Sequence, residues 1–374
     1  MKPIRVLTLS KPYVSSAYRD KLRCLAQDDR LAIGLITPPS WGDQNFEAGD
    51  DPYWLRQLPI VANGKNHFHV YRGLRQAINE FRPHIFNIEE EHYSAVTLQC
   101  FRLAVQLGVK PVFYTWQNIA KRYPWPFSAI ERYVFQYAAW GIAGNQEAAD
   151  ILRDKGFSKE IAIIPQMGTR LPQPDAKVRH FETLRERFQW PQDGMLVTYA
   201  GRLVEEKGIQ DLLRALAETE GVYALIAGSG PYEGALQILA RELGVTGKVF
   251  FLGSLSSDQI YDVYRHSQAL CLPSLTRANW KEQFGRVLIE AMASGAVPIG
   301  SDSGEIPRVI GDAGLVFPEG NAKVLAQRLK TLAQMPKTEF SQLQQRGRER
   351  AEQFFSNREI ARRFAEVFAA IADQ

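Results

Sequence analysis

The stretch Gly201-Arg202-Leu203-Val204-Glu205-Glu206-Lys207-Gly208 sets a guanidinium and an ammonium between an apolar run, Met195 to Ala200, and a helical pattern from Ile209 to Ala217. A strand-to-helix turn presents unbonded backbone N–H groups and the positive end of a helix, so with two cations added it suits a diphosphate. Arg offers a fork for phosphate oxygens and Lys a compact charge, each worth about 4 kcal/mol at 4 Å if the effective dielectric is near 20. Paired with Glu205 or Glu206 instead, Lys207 would only decorate a solvated turn. A second turn, Ile226-Ala227-Gly228-Ser229-Gly230-Pro231, closes the next strand, and its glycines would let a ligand approach the backbone. It fails as a dinucleotide fingerprint, because Glu233 stands where the third glycine belongs and Pro231 lies inside the motif. As a bare turn it would touch no ligand.

Downstream, Glu282-Gln283-Phe284-Gly285-Arg286-Val287-Leu288-Ile289-Glu290-Ala291-Met292 follows Pro273-Ser274-Leu275 and opens a helix. Eight residues on a continuous helix leave the two carboxylates about 80° out of line, so Glu282 and Glu290 do not form an adjacent acid and base. They suit two parts of one long ligand: a ribose diol on one and a sugar on the other, with a diphosphate near the Phe284 and Gly285 amides. The bland reading is an amphipathic helix with surface glutamates.

In the first half of the chain, His67-x-His69 on an expected strand would share a face and could be a metal pair. Glu89-Glu90-Glu91-His92 ends an expected strand and could meet an acceptor hydroxyl or solvent. No two aspartates are spaced as D-x-D, so a cationic pair would have to replace a divalent ion at a diphosphate. Lys121-Arg122-Tyr123-Pro124-Trp125-Pro126-Phe127 interleaves cations with aromatics before a helix. That segment suits a membrane interface or a sugar-stacking platform, or else is a buried Pro-rich loop with exposed cations.

The elements that must position these residues alternate. Short β-rich runs at Ile4 to Leu9, Leu31 to Thr37, His67 to Tyr71, His84 to Ile88, Pro111 to Thr115, Trp140 to Ala143 and Ile161 to Ile164 are separated by helical stretches such as Tyr93 to Leu107 and Ile130 to Ala139. This order implies right-handed crossovers and a mostly parallel, doubly wound sheet. Pro-rich sequence from Pro165 to Gly194, with a helix near His180 to Phe188, reads as a connection. A second series follows at Met195 to Ala200, Val222 to Ala227, Val249 to Leu252, Ala269 to Leu272 and Ala296 to Gly300, and Thr338 to Ala372 is helical. The domains are thus expected at 1–180 and 181–350. Ligands of such folds bind beyond the carboxyl ends of the strands.

At 374 residues, with 45% hydrophobic and 23% charged, the chain supports two ordinary cores and is not disordered. A net charge of +4 fits anionic small molecules or a membrane surface better than duplex nucleic acid. Cys24, Cys100 and Cys271 are odd in number and far apart, which implies neither a disulfide framework nor a zinc cage and points to a reducing compartment. Lys11 and Pro12 end the first apolar run before a signal-peptide core forms, and no apolar run approaches a spanning helix. The expected location is cytoplasmic, with peripheral contact at the inner membrane face left open.

The ordered set Gly-Arg-Leu-x-x-x-Lys-Gly, Ala-Gly-Ser-Gly-Pro, Phe-Leu-Gly, Pro-Ser and Glu-x-Phe-Gly-x-x-x-x-Glu-Ala-Met-Ala, from about Leu196 to Pro318, resembles the donor-binding half of a retaining glycosyltransferase of family 4. The resemblance implies the GT-B fold, an α/β architecture of two Rossmann-like doubly wound domains facing across a cleft, with the terminal helix (351–374) crossing back onto the first domain. It implies transfer of a hexose from a UDP- or GDP-sugar to a hydroxyl of a saccharide or lipid-linked acceptor, in polysaccharide or glycolipid synthesis, without a metal or other cofactor. By that likeness Arg202 and Lys207 hold the diphosphate and Glu290 the ribose. Glu282, with the Phe284 and Gly285 backbone and Arg286 beside them, holds the sugar. Gly201, Gly228, Gly230 and Gly253 shape the donor pocket.

The first half matches more loosely, through topology and through Thr115-Trp116-Gln117-Asn118 and Ala143-Gly144-Asn145. Many relatives carry a glycine pair after the first strand and a His after the fifth; here stand Lys11-Pro12-Tyr13-Val14-Ser15-Ser16 and Trp116-Gln117. Ser15, Ser16, Glu91, His92, Trp116 and Gln117 are the acceptor-side candidates, with Gln117 restricted to positioning because an amide cannot take up a proton. Domain closure about the connection would exclude water. The alternatives are a phosphorylase or nucleotide-sugar epimerase of the same fold, and a non-catalytic nucleotide-sugar or glycan-binding protein.

Overall fold

The computed structural model describes residues 2–172, 181–191 and 193–374. Two compact units emerge, Met1–Gly168 with Asn357–Gln374, and Thr169–Ser356.

The first unit is built on seven parallel strands: β1 Ile4–Leu9, β2 Leu31–Thr37, β3 Trp54–Gln57, β4 Ile85–Ile88, β5 Lys110–Thr115, β6 Trp140–Ala143 and β7 Ile161–Ile163. Their order is β7-β6-β5-β4-β1-β2-β3, so the winding reverses between β1 and β4. Alternate residues divide two cores. Val6, Ile85 and Val112 face one layer, and Leu7, Phe86 and Phe113 face the other. Helix Asn357–Ala372 covers the first layer with Ile360, Phe364, Phe368 and Ile371, and Lys110 Nζ donates to its Ile371 carbonyl at 2.8 Å.

The second unit repeats the plan with β8 Met195–Ala200, β9 Val222–Ala227, β10 Val249–Gly253, β11 Ala269–Leu272, β12 Val297–Ser301 and β13 Leu315–Phe317. Their order is β10-β9-β8-β11-β12-β13, with the reversal between β8 and β11. Every residue of β8 is buried, as a strand covered on both faces requires.

Several expectations are corrected. His67 and His69 lie outside any strand, because only Val70–Tyr71 pairs, antiparallel with Ile60–Val61, in a small hairpin apart from the main sheet. The boundary falls at Gly168 rather than 180, since the Thr169 amide donates to the Phe355 carbonyl at 2.8 Å and Thr169 Oγ1 shares a 2.9 Å hydrogen bond with Tyr261. Of the expected connection, 173–180 and 192 lie outside the described residues, including Pro174 and His180; the helix spans Phe181–Phe188. The terminal helical segment is two helices, Lys337–Arg350 and Asn357–Ala372, divided at an extended Ser356.

Candidate functional site

In the second unit, the loops after β8, β9, β10 and β11 gather at the strand ends where the winding reverses, the position at which open α/β sheets bind ligands. A cavity of about 270 Å³ there is lined by Gly201, Arg202, Gly228, Ser229, Ser254 and Glu290, among others. The glycines are first of all a packing device. Gly228 has φ +138°, and a Cβ there would stand 1.8 Å from the Gly201 carbonyl oxygen. A Cβ on Gly230 would meet the Leu203 carbonyl at 2.3 Å, and hydrogen bonds Leu203 N to Ser229 O and Tyr232 N to Leu203 O lock the two loops together. Gly253, at φ +70°, ends β10 and accepts from the Gly228 amide at 2.8 Å.

Arg202 is exposed at the cavity wall, its carbonyl held by the Tyr199 hydroxyl at 2.8 Å. Lys207 does not pair with Glu205 or Glu206. Its ammonium meets Glu282 Oε2 at 2.6 Å, with the Ser274 hydroxyl donating to the same oxygen at 2.9 Å. The Trp280 ring lies beneath the ammonium at 4.8 Å, and Arg277 ties that loop to Glu205 at 3.1 Å. Gly208, at φ +69°, lets the turn pass the Pro273 carbonyl, which a Cβ would approach to 1.8 Å.

Glu282 precedes the helix Arg286–Ser294, whose N-cap is Gly285 at φ +77°. Phe284 is buried against Phe355. Glu290 lies one turn inside that helix, bound by Arg286 Nε at 2.8 Å. Burial pushes the Glu290 carboxyl above its ordinary value, against the opposing charge of Arg286. The Tyr199 hydroxyl is likewise raised, by burial and then by the charge of Glu282, with Arg202 opposing. The two cations, the two glutamates and the four glycines therefore assemble in one unit. Ser229 and Ser274 stand inside motifs read from the sequence without a role of their own, whereas Tyr199, Ser254 and Trp280 were not singled out there.

The first-unit residues are engaged internally. Ser15 Oγ and the Ser16 amide both donate to Glu47 Oε2, at 3.0 and 2.8 Å. The glutamate run fans out. Glu89 is buried against Lys21 at 2.6 Å and the Tyr13 hydroxyl at 2.7 Å, while Glu90 holds the Lys11 ammonium. Neither Glu89 nor Glu90 is open to an acceptor or to solvent. Glu91 takes the Thr115 hydroxyl at 2.6 Å and the Trp116 amide at 3.1 Å. His92 is fully buried, with Nε2 2.9 Å from Glu131, and Glu131 also meets Lys155 at 2.6 Å. Burial works against the Glu131 carboxylate, yet the His92 and Lys155 hydrogen bonds outweigh it and hold its pKa below the ordinary value.

Gln117 accepts from Lys155 at 3.3 Å and donates to the Ile119 carbonyl, and Trp116 Nε1 donates to Gln166 at 3.0 Å. Gly144 is dictated by that indole, which a Cβ would strike at 2.1 Å, and Asn145 caps the helix Gln146–Asp154. His67 is exposed beside Tyr93, whereas His69 is buried against Trp41, so the two histidines do not share a face.

Two doubly wound parallel-sheet units with a glycine-lined, cation-bearing site at a switch point define the GT-B fold. Among solved structures, a glycosyltransferase from Rickettsia africae superposes with a TM-score of 0.79 at 17% identity over 100% of both chains. HepE of Anabaena, solved in complex with UDP, gives 0.72 at 18% identity over 98% of this chain and 100% of its own.

The family model described as Glycosyl transferases group 1 matches residues 180–354, the stretch that carries the whole site. The D-inositol 3-phosphate glycosyltransferase of Mycolicibacterium smegmatis is 35% identical over 136 residues, 35% of this chain and 30% of that protein. The 2-deoxystreptamine glucosyltransferase of Streptomyces kanamyceticus is 26% identical over 250 residues, 64% of this chain and 61% of its own. The matches thus span about a third to three fifths of these curated relatives. Among the described residues no helix is long and apolar enough to cross a membrane.

Proposed function

We propose that the chain is a retaining glycosyltransferase that moves a hexose from a UDP- or GDP-sugar to a hydroxyl of a saccharide or lipid-linked acceptor. The observations that carry this reading are a switch-point cavity lined by Arg202 and Glu290 and the Lys207–Glu282 ion pair between the loops after β8 and β11 of the same unit, all inside the stretch matched by the family model. The diphosphate is held by Arg202 and Lys207, the ribose by Glu290, and the sugar by Glu282 with the Phe284 and Gly285 backbone. The acceptor oxygen bonds to the anomeric carbon on the face the diphosphate leaves. The carbon–oxygen bond breaks with its electron pair on the phosphate, and a phosphate oxygen takes the acceptor's proton. Arg202, Lys207 and the amino end of helix Arg286–Ser294 neutralise the charge that develops on the leaving group.

Lys207 is already oriented by Glu282 and Trp280, so little reorganisation precedes catalysis. The two cations take the place of a divalent ion in this scheme, and full turnover in EDTA is expected; strict dependence on added Mg²⁺ would contradict it. A nucleotide-sugar panel read by thermal shift and donor hydrolysis tests the proposal. One UDP- or GDP-sugar should both stabilise the protein and be slowly hydrolysed. Tight nucleotide binding with no turnover toward any acceptor would replace the reading with a binding protein.

A further inference from the structure

We propose that the first unit docks on an anionic lipid surface through a patch formed by the 61–69 loop and the 121–127 segment. The segment Lys121 to Phe127 is not a buried loop: Trp125 is 81% exposed, and Pro124 and Pro126 beside it are exposed too. The second contributor is distant in sequence. Phe68 is 61% exposed and meets the Phe127 ring edge-on at 5.5 Å, which brings its loop against the segment that carries Trp125. Of the large apolar side chains exposed among the described residues, these two are the most exposed, and Val61, at the start of the same stretch, adds a 42% exposed side chain.

Ring contacts anchor both segments. Tyr123 stacks on Tyr93 at 4.0 Å, Lys155 lies over Tyr123 at 4.5 Å, and His67 packs on Tyr93 at 5.3 Å.

The charge around the rings selects the occupant. Lys65, Lys121 and Arg122 are exposed, and no carboxylate among the described residues pairs with any of them. The neighbouring acid, Glu91, is spent on Thr115 and the Trp116 amide. Asn63 is spent on the Gly42 amide and Ser40, which leaves Asn66 as the one amide and no carboxylate in these two segments to bind hydroxyls, a sparse set for a sugar, whereas rings that enter the headgroup boundary with cations at their rim match an anionic bilayer. Each cation near such a surface is worth roughly fivefold in partitioning, so the three together give roughly a hundredfold preference over a neutral surface. Each ring that enters adds about tenfold.

The test is sedimentation of the full chain with phosphatidylcholine vesicles made with and without phosphatidylglycerol, at low and high salt. Binding to the anionic vesicles alone, weakened by salt, is expected. Lys65→Glu/Lys121→Glu/Arg122→Glu should abolish it and Phe68→Ser/Trp125→Ser should reduce it about hundredfold. Thermal stability and nucleotide binding should stay unchanged in both variants, because every altered side chain is exposed. Equal binding to neutral vesicles, no binding at all, or binding untouched by these variants would overturn the proposal. So would quenching of Trp125 emission by a soluble oligosaccharide in a protein that ignores vesicles, which would make the patch a sugar platform. None of these outcomes depends on whether the chain transfers sugar.

Discussion

The Lys207–Glu282 pair makes a prediction with two separable readouts. The two side chains are 16% and 10% exposed, between a surface ion pair worth at most about 1 kcal/mol and a buried one whose breaking costs about 3–5 kcal/mol. Lys207→Ala removes the ammonium from Glu282 and leaves the Ser274 hydroxyl in place, so about 2 kcal/mol of local stability should be lost. Hydrogen exchange over 201–216 and 273–294 should then accelerate roughly thirtyfold, with the first unit unaffected. Adding Glu282→Gln removes the carboxylate charge that Lys207 had balanced, so the double variant should recover at least about 1 kcal/mol relative to the sum of the single changes. Turnover should fall about 10²–10³-fold in kcat in Lys207→Ala and should not return in the double variant, because the diphosphate has still lost its ammonium. Strict additivity in exchange would refute the structural pairing. Unchanged kcat would refute the role in charge stabilisation.

Three further predictions follow from individual contacts. Gly228→Ala, at φ +138° with its new Cβ directed at the Gly201 carbonyl, should lower stability by about 1–3 kcal/mol and weaken nucleotide binding; calorimetry of the variant with and without UDP checks both. Glu290 has its carboxyl raised by burial, so its contribution to stability is present below its ordinary value of 4.5 and is lost as pH rises through the raised one. Melting curves across pH should therefore show Glu290→Gln gaining on the parent as pH rises toward neutrality, and parallel curves would contradict this. Lys21→Met should cost about 3–5 kcal/mol by stranding the buried Glu89 carboxylate, and Glu89→Gln in the same chain should restore part of the urea midpoint.

What could be read in advance follows the range of the forces involved. Strands covered on both faces announce themselves as continuous apolar runs, and β8 and β11 stand where the residues imply. The edge strands β3 and β13, half-buried and four and three residues long, carry too little pattern to stand out. Helix Leu74–Phe81 was missed between Gly73 and Arg82, both left-handed, which confine it to two turns.

At the candidate site, the cations and glycines of the 201–208 turn and the spacing of Glu282 and Glu290 are local signals that the sequence displays. Their pairing is not local. Lys207 finds Glu282 75 residues away and Lys21 finds Glu89 across 68, and nothing short-range encodes either contact. The same limit hid the contacts of Ser15 and Ser16, whose hydroxyl and amide donate to Glu47 more than thirty residues away. It also left the Pro-Trp-Pro segment ambiguous, because nothing short-range reports that Phe68 arrives at Phe127 from another loop.

A crystal structure of the chain with bound UDP or GDP bears most directly on the central claim. The diphosphate should lie in the cavity beside Gly201 and Ser229, within salt-bridge distance of the Arg202 guanidinium and the Lys207 ammonium, with the ribose on Glu290. Phosphorus atoms found elsewhere, with both cations left to Glu282 and solvent, would contradict it.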